Sequence, residues 1–134
     1  MNLLHRPPRR KKSPAFQFVS LLVALSACAP TIAQREASLR SIIEENLFST
    51  EHLAFGADPR SVSAVRSQTK ENDIPLLIRL LSDPNPSIVR VSQYVIVSYN
   101  SVAIPYLTGA LSGSTGTNPL IRETIGMIEK RKTP

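Results

Sequence analysis

Ile74-Pro75-Leu76-Leu77-Ile78-Arg79-Leu80-Leu81-Ser82 recurs thirty residues later as Ile104-Pro105-Tyr106-Leu107-Thr108-Gly109-Ala110-Leu111-Ser112. Each copy leads into a turn-rich stretch and then a second apolar segment carrying an arginine, Arg90 and then Arg122. Self-similarity at a spacing of a few tens of residues is the mark of stacked structural repeats, in which each unit buries its apolar face against its neighbours. The apolar residues recur at helical spacing, so the pattern predicts an all-α chain: a short α-solenoid of about two and a half helix pairs.

Working outward, Asp73 is placed to cap the first Ile-Pro helix, with Pro75 in its first turn, where a missing N–H costs nothing. Asp83-Pro84-Asn85-Pro86 breaks that helix near Ser82. The next helix is expected over 87–99, with Ile88, Ser92, Val95, Ile96 and Tyr99 inward. Its Val95-Ile96-Val97 run favours strand on propensity alone, but the spacing demands helix. Asn100 follows in the left-handed slot that ends helices. The second copy predicts helices over 102–111 and 119–130, joined by the glycine-rich 113–118. Leu120, Thr124, Met127 and Ile128 face inward in the last helix, and Gly126 reads as a close helix contact. Upstream, Asp58-Pro59 opens a helix to about Lys70, with Val62, Val65 and Thr69 inward. Residues 36–48 form an amphipathic helix through Leu39, Ile42, Ile43 and Leu47.

The first 27 residues read as an export signal, to be set aside before fold reasoning. Arg6, Arg9, Arg10, Lys11 and Lys12 form a basic start, and 15–27 is an apolar run too short for a membrane span, which needs ~20 residues. The run ends in Leu25-Ser26-Ala27-Cys28, which resembles the bacterial lipobox. That resemblance implies cleavage before Cys28, a lipid on its sulfur, and a tether over 28–35 leading to a domain over 36–134. In that family an aspartate after the cysteine favours the inner membrane. Ala29 stands there, so the resemblance implies the outer membrane of a Gram-negative cell. The competing reading is ordinary signal-peptidase cleavage after Thr31-Ile32-Ala33, giving a soluble periplasmic or secreted protein.

The chain carries sixteen Lys and Arg against ten Asp and Glu, net +6. Five of the cations and none of the acids precede Cys28, so the remainder is close to neutral. That balance disfavours nucleic acid as a partner, since no basic stripe is left to displace phosphate counterions. Cys28 is the only cysteine and tryptophan is absent. An exported domain of this size must therefore stand on an aliphatic core without disulfides.

Ile-Pro-x-Leu-Ile-x-Leu-Leu-x-Asp-x-x-Pro-x-Val-Arg followed by an apolar helix resembles the HEAT-like repeat of the phycobilisome-lyase type, over 73–131. The resemblance implies a helical solenoid and matches the family's turn aspartate to Asp83 and its arginine to Arg90 and Arg122. These three are expected to tie adjacent repeats together. Gly113 replaces the aspartate in the second copy, which leaves one Asp–Arg rung at most.

Catalytic signatures are missing from the sequence. His52 is the one histidine beyond the signal, no metal-ligand cluster or nucleophile elbow is present, and 113–118 lacks the lysine of a phosphate loop. The expectation is a non-catalytic adaptor or scaffold without cofactor, metal or small-molecule substrate. It is anchored by lipid at the envelope and binds another envelope protein. A soluble periplasmic assembly or regulatory factor is the alternative, and chromophore lyase chemistry a remote one. In such stacks the second helices offer the binding face, which makes Val89, Gln93, Val97, Ile121 and Glu123 the candidate partner contacts. Packing on the helix over 36–48 is the competing reading for Val89, Val97 and Ile121.

Overall fold

The computed structural model describes residues 29–48, 56–113 and 117–132. Thr31–Pro134 form one compact unit. Its described part is all-α, with six helices: α1 (Ile32–Glu45), α2 (Pro59–Ser67), α3 (Ile74–Arg79), α4 (Pro86–Ser98), α5 (Ile104–Leu111) and α6 (Asn118–Lys132).

The two Ile-Pro segments fold alike. Each is entered through a short 3-10 helix, Glu71–Asp73 or Asn100–Ala103, and each helix starts on its isoleucine with proline in the first turn. A further 3-10 turn, Leu80–Ser82, finishes the first one before the Asp83-Pro84 break.

Several ends are set by local chemistry legible in the sequence. The Asp58 carboxylate accepts from the Arg60 N–H at the start of α2, with Pro59 beside it. The Asn85 side chain accepts from the Ser87 N–H at the start of α4. Asn100, after α4, has φ +54°. Other ends differ from expectation. α1 begins at Ile32, so 32–35 form its first turn and not a tether. The cause is a capping box: the Thr31 hydroxyl accepts from the Gln34 N–H, and the Thr31 N–H donates to Gln34 Oε1. Asp73 makes no cap bond to α3; it accepts from the Lys70 N–H at 2.9 Å and binds Arg35.

Packing follows a regular scheme. α1 lies on α3 and α3 on α5; α2 lies on α4 and α4 on α6; each first helix also touches the second helix that follows it. Arg35 binds Asp73 ahead of α3, Glu36 binds Arg79 within it, and Arg40 binds Asp83 beyond it. Early residues meet early and late meet late, so α1 and α3 run in the same direction.

α4 is the centre of the core. It touches α1, α2, α3 and α6, and Ile88, Val91, Val95, Ile96 and Val97 are all buried. Its three consecutive β-branched residues cost a few tenths of a kcal/mol each in helix propensity, which burial of about 1.5–3 kcal/mol per large side chain exceeds several-fold. At its end, the Tyr99 hydroxyl donates to Thr69 Oγ1 at 3.0 Å and Arg66 lies 3.7 Å over the ring, which ties α4 to the end of α2.

Two glycines behave oppositely. Gly56 has φ +130°, and a Cβ there would collide with the Tyr94 ring, 2.8 Å from Cζ. Gly126 is no close contact: a Cβ would meet nothing within 4 Å. Gly126→Ala should therefore raise stability by up to ~1 kcal/mol, the helix-interior cost of glycine, whereas Gly56→Ala should destabilise by more than that. Urea melts of both variants check the pair of signs. Leu81 and Ile96 are core residues, and truncating either to Ala should cost ~2–5 kcal/mol. A midpoint within a degree or two of wild type would contradict the packing described.

Candidate functional site

The concave feature of greatest interest lies on the α3 and α5 side of the molecule. α3 and α5 are both short and both begin with Ile-Pro, and between them runs a cleft of about 830 Å³. Its apolar wall comprises Ile78 and Leu80 from the first copy, Ala110 from α5 and Ile121 from α6. Pro75 and Tyr106, at the starts of α3 and α5, mark one end. Ser82, Asp83, Pro84, Gly113 and Thr117, from the connections after those helices, mark the other. Glu36 and Arg79 complete the lining. The volume falls within the range that holds a small ligand or a few residues of peptide, and apolar walls with few fixed polar groups are the usual make-up of such sites.

The polar groups around the cleft are held in place. Glu36 Oε2 lies 3.1 Å from Arg79 Nε. Asp83 accepts from Arg40 Nε at 2.9 Å and from the Asn85 N–H at 2.8 Å. Burial pushes the Asp83 carboxyl up, but the Arg40 guanidinium and the Asn85 N–H outweigh it, and the net effect is a lowered pKa. The Tyr106 hydroxyl donates to Glu71 Oε1 at 3.3 Å; partial burial, and then the Glu71 charge, raise its pKa. A carboxylate held low is a weak base. What Asp83 offers the cleft is thus a fixed negative charge with a defined acceptor direction.

The residues singled out from sequence are scattered by the structure. Gln93, Val97 and Ile121 are fully buried, and Val89 is half-buried. They do not form an outer binding surface, because α4 has neighbours on most of its circumference and its second apolar stripe faces them. Ile121 reaches the cleft only as part of its wall. Glu123 is exposed and lies 3.5 Å from Arg90. Arg90 also donates to Gln93 Oε1 at 2.9 Å, and Asp83 pairs with Arg40, so the expected Asp83–Arg90 rung is replaced. Arg122 is exposed and forms no ion pair among the described residues. Ser92 Oγ and Gln93 Nε2 are buried without a hydrogen-bond partner in the structure. Cys28 and His52 lie outside the described residues, and within these no group of three or more His, Cys, Asp or Glu could hold a metal ion.

Sequence reasoning missed Arg35 and Arg40, which fasten the wall helix α1 to α3. Their pairs span 38 and 43 residues, a separation that periodicity does not reveal. Compared with known proteins, the chain matches no protein-family model, no curated protein and no solved structure.

The Arg35–Asp73 pair is bidentate, at 2.9 and 2.7 Å, with Asp73 nearly buried. The Arg35 guanidinium, and then the Lys70 N–H, hold the Asp73 carboxyl below its ordinary range against the effect of burial. A carboxyl lowered in the folded state stabilises fully above its unfolded pKa, near 4, and that contribution fades as pH falls through the folded value. Asp73→Asn should cost about 1.5–3 kcal/mol at neutral pH and flatten the loss of stability below about pH 4. Urea unfolding over a pH series checks this; parallel curves for variant and wild type would refute it.

Proposed function

We propose that the chain is a non-catalytic adaptor built as a short stack of HEAT-like helix pairs. It is anchored through a lipid on Cys28 at the bacterial envelope, and it holds a segment of another envelope protein in the cleft between α3 and α5. The observation that carries this reading is the position of the cleft. It lies between corresponding helices of the two Ile-Pro copies, and two pairs of corresponding residues, Leu80 with Ala110 and Asp83 with Gly113, line it. A groove framed by corresponding positions of successive units suits an extended chain, because an extended peptide also presents its side chains at regular intervals.

Supporting the stacked reading are three helix pairs, α1–α2, α3–α4 and α5–α6, with first helices packed on first and second on second. The pairs number three in this reading, because α1 and α2 supply a complete unit ahead of the two Ile-Pro copies. The partner-facing residues pass from the α4 and α6 positions expected from sequence to the α3 and α5 side. Export and lipidation rest on the Leu25-Ser26-Ala27-Cys28 pattern; no helix of the described residues is long and apolar enough to cross a membrane.

A photocrosslinking amino acid at Arg79, 60% exposed at the edge of the cleft, should give one discrete adduct in cells. The same group at exposed Ser63 on α2 should not. Ala110→Arg, which fills the cleft from the half-buried face of α5, should abolish the adduct at 79 without shifting the melting midpoint by more than a few degrees. Adducts of equal yield at 79 and 63, or an adduct indifferent to Ala110→Arg, would overturn the cleft as the binding site.

A further inference from the structure

We infer that the end of the domain carrying the first turns of α1, α3 and α5 is a surface for anionic lipid, on which the anchored protein stands. The inference rests on the anchored reading above and adds which face meets the bilayer and which headgroup charge it requires.

The helices fix what gathers at that end. α1, α3 and α5 start there, as the Arg35–Asp73 and Tyr106–Glu71 bonds show. α2 and α4 finish there, joined by the Tyr99–Thr69 bond. α6 also finishes there, because it returns antiparallel to α5 after a short connection. Three large apolar side chains of the described residues stand exposed, and two of them are at this end: Ile32 at 68% and Val102 at 44%. The third, Phe48, follows α1 at the opposite end.

Exposed lysines gather at the same end. Lys130, Arg131 and Lys132 fill the last turn of α6, and Lys70 stands just before the 3-10 turn that enters α3; all four are exposed. The acids at this end are Asp73 and Glu36, paired with Arg35 and Arg79, Glu71, bonded by the Tyr106 hydroxyl, and Glu129. At the far end the charges are mixed: Glu44, Glu45 and Glu123 are exposed, and so are Arg60 and Arg122. The first-turn end therefore gathers four exposed cations, with exposed apolar side chains among them, whereas the far end mixes both signs.

The covalent chain brings the same end to the bilayer. Only Ala29 and Pro30 separate Cys28 from the Thr31 cap. Three Cα steps span at most about 11 Å. A lipid on Cys28 thus holds this end within about a Debye length of the headgroups, where the field of an anionic leaflet acts on Lys and Arg. Ile32 and Val102 are placed to enter the interface, and Ser82 to Pro84 and Thr117 at the far end of the cleft face away from it.

The absence of tryptophan makes the test clean. Single-tryptophan variants Ile32→Trp, Val102→Trp and Phe48→Trp of the full chain are combined with vesicles of brominated phosphatidylcholine, with or without phosphatidylglycerol. In phosphatidylglycerol vesicles, quenching at 32 and 102 should exceed that at 48 several-fold. Equal quenching at all three positions, or none at 32 and 102, overturns the inference. In the unlipidated chain from residue 28 onward, with Cys28→Ser and the signal removed, replacing Lys70, Lys130, Arg131 and Lys132 by Gln should weaken binding to these vesicles about fivefold per cation removed; no change also overturns it. Mass spectrometry decides the anchor independently. If Cys28 of the protein purified from membranes carries no diacylglyceryl group, the lipid reading falls, while the quenching pattern still judges the surface.

Discussion

Burial of α4 on most of its circumference is the constraint on which the rest of the structure depends. A 13-residue helix is marginal alone in water, and the β-branched residues of this one make it a poorer helix still. It exists because α1, α2, α3 and α6 surround it, and they in turn turn their apolar stripes toward it. The short α3 has the same dependence: six residues with a proline in the first turn persist only with α1 and α4 packed against them. No single helix pair is a stable part that could be cut away.

Around that centre, polar interactions set register more than they add stability. Exposed ion pairs are worth at most about 1 kcal/mol each, so Glu36–Arg79, and the Arg40–Glu44 pair along one face of α1, contribute little. Asp73 and Asp83 differ because their carboxylates are nearly buried at 8% and 7%, where an unpaired charge costs several times more. Once those two aspartates are placed at the ends of the first Ile-Pro segment, only a helix presenting guanidinium groups at matching separation can cover them. Arg35 and Arg40 meet that requirement, which fixes the direction of α1 and thereby one wall of the cleft.

Much of the helical content was legible because it is written locally. Asp58-Pro59, Asn85-Pro86 and Asn100 act within two or three residues of their own position, and the Ile-Pro copies announce each other. The Thr31-x-x-Gln34 box that starts α1 was equally local, yet it sat in a stretch read as linker. The candidate site was less legible for two reasons. A helical wheel assumes one apolar face, so Gln93 and Val97 looked outward; α4 has no outward face at those positions. The cleft and its Arg40–Asp83 brace depend on residues dozens of positions apart, and composition and spacing carry no trace of such pairings.

The three ion pairs between α1 and α3 also decide how the domain responds to mechanical load. Any pull delivered through the chain at Thr31 enters at the first turn of α1, beside Arg35, and reaches the Glu36 and Arg40 pairs only after that contact has yielded. Loaded this way, the pairs open one after another, as in a zipper, and not all at once as under shear. The force that first peels α1 from the domain is then set by the single Arg35–Asp73 contact, whatever the total stability of the fold. Losing α1 removes Glu36 from the cleft, so tension on the amino-terminal segment would dismantle one side of it.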